Sequence, residues 1–305
     1  MKNYQRLKGL IAATFTPMDA SGNINLSIID SYADYLADSA IAGVFVCGTT
    51  GESLSLTIPE RKAILAQWVQ SAKGRFKVIA HVGCNSLMEA MELAAHASKV
   101  GADAIGAMSP CFFKPANVDS LIRFFEPIAK AASELPFYFY YLPSMTGFYV
   151  TVSEFLTKGK KVIPNLVGVK FTDNNLMDMA DCIALNNGEF EILHGYDEIL
   201  VSGIAMGAVA GVGSTYNYIP KVYSGIFEQM EKGNLVEARR LQLQSVDIVK
   251  VIIKYGGGLR GGKAIMKLIG IDCGPCRLPV TPLTESEWES LKTDLRKLDF
   301  IDIKE

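Results

Sequence analysis

The chain has no long run of like charge, no uninterrupted apolar stretch of membrane length, few histidines and few cysteines. Each absence excludes a class. With Lys+Arg 30 against Asp+Glu 32 and a net charge of -2, there is no basic stripe to track a phosphate backbone, so nucleic acid is not expected as a partner. Ile199 to Pro220 carries no formal charge, but glycines, serines, a threonine and an asparagine interrupt it. It predicts a buried helix and then a buried strand, and no membrane association is expected. His81, His96 and His194 show neither HxxxH nor HxH spacing and have no flanking carboxylate cluster, so no metal is expected. Six cysteines in 305 residues are too few for a disulfide scaffold and fit reduced thiols. The opening "MKNYQRLKGLIAATFTPM" places basic residues before an apolar run, yet it breaks at Thr14, Thr16 and Pro17 without a small-x-small cleavage site. The expected compartment is the cytoplasm.

What is present is a globular composition, 49% hydrophobic and 20% charged, able to bury a large core. Eight short apolar runs recur: "GLIAATFTP", "GVFVCGTTG", "KVIAHVG", "ADAIGAMSP", "PFYFYYLP", "LVGVKFTD", "FEILHGYD" and "AVAGVGSTYN". Helix-period segments separate them. "TIPERKAILAQWVQ" offers Thr57 as N-cap, Pro59 in the first turn, Glu60 at the capping-box position, and Ile64 and Trp68 on one face. Strand–helix alternation implies parallel pairing with crossover helices, and eight strands apolar on both faces predict a closed (β/α)8 TIM barrel over residues 1–220. No early GxGxxG turn favours an open doubly wound sheet instead. Residues 221–305 show helix patterns only and predict a C-terminal helical extension packed on the barrel.

In such a barrel the chemistry sits at the C-terminal strand tips. Lys170 is the only interior charge of its strand run. Desolvation there lowers an amine's pKa and makes it a nucleophile toward carbonyls, whereas a strand-end lysine can also snorkel to solvent or pair with a carboxylate. The turn "GTTGE", Gly48 to Glu52, can cup a carboxylate with N–H groups and hydroxyls, or simply turn the chain. Tyr140 and Tyr141 lie on opposite faces of their strand. If Tyr140 points inward, its phenol reaches the space beside Lys170 and can relay protons.

Together "GTTGE", "YYLPSMTG", "GVKFTD" and "HGYDEILVSGIAMGAVAGVGSTYN" resemble the N-acetylneuraminate lyase branch of the pyruvate-dependent class I aldolases, a superfamily that includes dihydrodipicolinate synthase. The resemblance spans nearly the whole chain. It implies that Lys170 forms a Schiff base with substrate, that Tyr140 relays protons, that Thr49 and Thr50 hold the pyruvate carboxylate, and that Gly51 beside them contacts substrate. It further implies that Thr172, Gly195, Asp197, Glu198 and Ser214 contact substrate, the two acids and the serine meeting the hydroxylated tail of a sugar acid. N-acetylneuraminate, pyruvate and N-acetylmannosamine are the implied small-molecule partners. The implied assembly is a homotetramer, and the covalent imine leaves no need for a cofactor.

Two positions depart from the wider pattern. Met145 stands where synthases of this superfamily carry an arginine that binds an aldehyde substrate's carboxylate, which argues against the synthase. Cys111, Phe112 and Phe113 occupy the segment where many members place a relay tyrosine, which puts the proton path through that position in doubt. The competing functions are another pyruvate aldolase or synthase, or a sugar-acid sensor without catalysis. Two further motifs are imitations. "CGPC", Cys273 to Cys276, lacks the strand-to-helix context of a redox pair, and "GGLRGGK", Gly257 to Lys263, has Ala264 in place of the hydroxyl residue of a Walker loop, so a helix end and a new helix are expected there.

Overall fold

A computed structural model describes residues 4–300. Eight parallel strands, β1 (Gly9–Ala13), β2 (Gly43–Val46), β3 (Lys77–His81), β4 (Ala104–Met108), β5 (Phe137–Tyr141), β6 (Leu166–Phe171), β7 (Glu191–His194) and β8 (Ala210–Gly213), close into a barrel through β1–β8 pairing. Each falls inside one of the eight apolar runs. Between strands lie α1 (Ile29–Asp38), α2 (Ile58–Ala72), α3 (Leu87–Val100), α4 (Val118–Ala131), the single turn α5 (Pro143–Thr146), α6 (Val152–Gly159), α7 (Leu176–Ala184) and α8 (Leu200–Met206). Beyond β8 come α9 (Pro220–Glu231), α10 (Leu235–Lys254), α11 (Gly257–Leu268) and α12 (Glu285–Arg296).

Strand periodicity sorts the barrel into two shells. Ile11, Phe45, Ile79, Tyr138, Tyr140 and Val212 fill the interior, while Leu10, Val44, Val78, Phe139, Tyr141 and Phe171 face the helices. The helices start where the sequence says they should: Thr57 caps α2 in a full capping box with Glu60, and Ile64 and Trp68 are buried beneath it, Trp68 edge-on to Tyr32 at 5.1 Å. The stretch Ile199–Pro220 resolves into α8 and β8, the buried helix and strand read from its composition.

The N-terminal mouth of the barrel is plugged. Buried Glu191 accepts the Leu7 N–H at 2.8 Å and the Tyr138 hydroxyl at 3.0 Å, and the Tyr4 hydroxyl bonds both Tyr138 and Glu191. The C-terminal mouth is left as the open end. Among the described residues no helix is long and apolar enough to cross a membrane, and all six cysteines are free. "CGPC" lies in a loop outside any helix or strand, and "GGLRGGK" forms the first turns of α11 after Gly256, whose φ of 92° breaks the chain away from α10.

Candidate active site

Lys170 sits near the C-terminal tip of β6 and is 4% exposed. Its register partner on β5 is Tyr140, and its ammonium nitrogen lies 4.1 Å from the ring centroids of both Tyr140 and Phe45. Burial among these rings pushes the amine down to about 7, with Asp197 pulling weakly the other way. A large neutral fraction at physiological pH follows, which is the state that attacks a carbonyl. The Tyr140 phenol bonds the Thr49 hydroxyl at 3.0 Å, and burial pushes it up to about 12, so it rests protonated as a donor.

Thr49 and Thr50 are presented by a tight turn after β2. Cys47 (φ 57°) and Glu52 (φ 63°) adopt left-handed backbone on either side of it, uncommon for residues with side chains. The turn closes through Gly51 N–H to Gly48 O (3.0 Å), Glu52 N–H to Thr49 O (3.1 Å) and Ser53 N–H to Gly48 O (3.2 Å). Gly51 is thereby spent on the turn. Its carbonyl accepts the Thr16 hydroxyl at 2.7 Å, and a Cβ would press on Cys47 and the Thr14 carbonyl.

On the far side, the segment after β7 brings Asp197 into the barrel mouth. One carboxylate oxygen accepts both the Thr215 N–H (2.8 Å) and its hydroxyl (2.6 Å). Burial pushes this acid up to about 6, opposed by the Thr215 bonds and by Lys170. Gly213 makes the placement possible, because a Cβ there would overlap the Asp197 carboxylate. Gly195 does the same for Thr172, whose buried hydroxyl has no protein partner. Asn217, fully buried, bonds the carbonyls of Ala13 and Ser214 and so ties the last tip to the first.

These groups surround one cavity of about 200 Å3, lined by Thr49, Thr50, Tyr140, Lys170, Thr172, Gly195, Asp197, Glu198 and Ser214. Of the ten residues expected to act on or contact substrate, Gly51 alone does not line it. Phe112 and Phe113 lie outside it, 76% and 85% exposed. Sequence reasoning passed over Tyr196, which lines the cavity, and Phe45, which supplies half of the apolar wall around the amine. The inward phase of β2 marks Phe45. Tyr196 had only its place in the Gly-Tyr-Asp-Glu segment. Larger cavities of about 540 and 590 Å3 lie between the C-terminal helices and the barrel and beside α2 and α3, but neither reaches the interior where Lys170 stands. No three His, Cys, Asp or Glu side chains group as metal ligands among the described residues.

A poised amine, a protonated phenol, a hydroxyl-bearing turn and a carboxylate pair around one cavity form the parts of an imine-forming site with a polar recognition wall. The profile of the dihydrodipicolinate synthetase family matches residues 6–298. N-acetylneuraminate lyase A of Xenopus laevis is 44% identical over 301 residues, 97% of this chain and 98% of that one. The Proteus mirabilis N-acetylneuraminate lyase structure superposes with a TM-score of 0.94 at 35% identity, covering 97% of this chain and all of that one. A catalytic-lysine mutant of Ruminococcus gnavus sialic acid aldolase superposes at 0.93 with 28% identity over 100% of both chains. With the closed eight-stranded barrel and near-complete matches in sequence and structure, the chain belongs to the dihydrodipicolinate synthetase family.

Proposed function

We propose that this chain is a carbon–carbon lyase that cleaves N-acetylneuraminate reversibly into N-acetylmannosamine and pyruvate through a Schiff base on Lys170. The observation that carries the reading is the depressed, buried Lys170 amine beside Tyr140, facing a wall that holds Asp197, Glu198 and Ser214. Relatives of near-identical length named N-acetylneuraminate lyase supply the substrate class.

The neutral amine attacks the keto carbon of the open-chain sugar acid. The resulting carbinolamine expels water as the Tyr140 phenol delivers a proton, giving a protonated imine and a phenolate held by Thr49. That phenolate accepts the proton of the C4 hydroxyl. The C3–C4 bond electrons flow into the iminium, which becomes an enamine as N-acetylmannosamine leaves. Protonation at C3 and attack by water then release pyruvate and restore the amine. Thr49 and Thr50 anchor the substrate carboxylate; their backbone N–H groups donate to no protein acceptor among the described residues. Glu198, Asp197 and Ser214 receive the tail hydroxyls, and Thr172 offers its unpartnered hydroxyl. The imine is the electron sink, and no metal or other cofactor takes part.

A synthase acting on an aldehyde acid would need a cation for that acid's carboxylate. Met145 borders the cavity and no arginine lines it, which favours the lyase. The exposed Phe112 and Phe113 after β4 support a homotetramer in which they are covered by a second copy, and a cytoplasmic location is part of the same proposal. In this scheme barrel residues 1–220 carry the site and residues 221–305 buttress it.

The test is pyruvate release from N-acetylneuraminate by the wild type and by Lys170→Ala, with aspartate semialdehyde plus pyruvate as the competing assay. Release that the substitution abolishes supports the lyase. Condensation with the semialdehyde and no release would move the chain to the synthase branch.

A further inference from the structure

The two motif imitations meet at the substrate turn. Lys263, the last residue of "GGLRGGK", projects from α11 to Glu52, the last residue of "GTTGE". The ammonium lies 2.7 Å from one carboxylate oxygen, with both side chains at most 3% exposed. That oxygen has no aligned hydrogen bond, so the contact is an ion pair. The other oxygen accepts the Arg277 N–H at 2.7 Å. The ammonium also donates to the Pro275 carbonyl, inside "CGPC", at 2.7 Å. Arg277, directly after that motif, spreads its guanidinium over the Gly22 and Ser55 carbonyls and forks onto Glu60, the capping acid of α2. Gly274 admits this fit: its φ is 64°, and a Cβ would overlap the Met18 carbonyl.

Burying a lysine and a glutamate is costly unless each satisfies the other, and breaking such a pair strands a charge in the interior. The pair stands three residues from Thr49, at a non-glycine residue held in left-handed backbone. Backbone in that region persists only where its surroundings over-determine it. The barrel closes the turn, but the partners of the Glu52 side chain come from α11 and the loop that follows it.

We propose that Glu52, Lys263 and Arg277 are positioning residues, through which the C-terminal extension sets the geometry of the Thr49–Thr50 turn and hence its hold on the substrate carboxylate. The inference rests on the reading of that turn as the pyruvate site. Its signature is weakened carboxylate binding with the imine chemistry of Lys170 intact.

The test measures borohydride trapping of pyruvate on Lys170 against pyruvate concentration in Glu52→Gln and Lys263→Met, together with amide hydrogen exchange over residues 47–53. Glu52→Gln keeps the side chain's shape and carries the test if Lys263→Met does not fold. Arg260→Ala is the control. Its guanidinium ties α11 to Glu287 and to the carbonyls of Thr281 and Pro282, away from the turn. The expected result is faster exchange in the turn, half-saturating pyruvate raised about tenfold or more, full trapping at saturation, and an unchanged half-saturation in Arg260→Ala. Faster exchange with wild-type half-saturation would reduce the pair to a strut and overturn the inference. So would an equal rise in Arg260→Ala. A wild type that traps pyruvate yet leaves N-acetylneuraminate uncleaved would sink the substrate reading while this inference is still measured.

Discussion

Tyr140 and Lys170 are register partners on adjacent parallel strands, and the lysine's nitrogen rests 4.1 Å from the centre of the tyrosine ring. The same ring thus desolvates the amine and carries the hydroxyl that serves it.

The first consequence concerns pH. Lys170 titrates near 7 in the fold against an ordinary value of 10.5. The rate of pyruvate trapping should therefore rise through about pH 7 and then level. Asp197 raises this pKa, so Asp197→Asn should shift the rising limb to lower pH; a shift upward would contradict the assignment. Stability carries the same sign. Between the two values the unfolded chain binds the extra proton, so the penalty for the buried amine is full below about 7 and fades as pH rises toward 10.5. Lys170→Met should raise thermal stability most at pH 6, by at most about 5 kcal/mol, and lose that advantage in strong alkali.

Tyr140→Phe removes the hydroxyl and leaves the ring that depresses the lysine. Turnover should fall by about 10²–10³-fold while the pH at which trapping rises stays near 7. A comparable rate in the variant, read by pyruvate release, would take the relay away from this phenol.

Asp197→Asn and Glu198→Gln should separate the two halves of the site. Each is expected to weaken N-acetylneuraminate binding by about 10–100-fold, the worth of a hydrogen bond to a charged group, and to leave half-saturating pyruvate in trapping near its wild-type value. Equal weakening of both ligands would place the carboxylates elsewhere in the reaction.

Gly213→Ala tests how Asp197 is held. The added methyl, at the last residue of β8, would occupy the carboxylate's position, so this substitution should reproduce the Asp197→Asn defect in sugar-acid binding. Unaltered binding would show that the acid has room to move.

The barrel was legible because its strands are buried on both faces and read as unbroken apolar runs, and Lys170 was legible because no other charge interrupts its own. The Tyr140–Tyr141 pair followed from period two. Proximity in a motif does not tell a glycine that meets a ligand from one that closes the turn, and the N–H and carbonyl of Gly51 are both engaged within the turn and with Thr16. Tyr196 was missed because only the path of the chain after β7 turns it toward the cavity. The Glu52–Lys263 pair could not be read at all, since nothing local in "GTTGE" or "GGLRGGK" announces that each buries the other's charge.

The most direct measurement is borohydride reduction of the protein in the presence of N-acetylneuraminate, followed by peptide mapping. The account predicts a carboxyethyl group, left by reduced pyruvate imine, on Lys170 and on no other lysine, with the alditol of N-acetylmannosamine in solution. An unmodified Lys170 in protein that still releases pyruvate would contradict it.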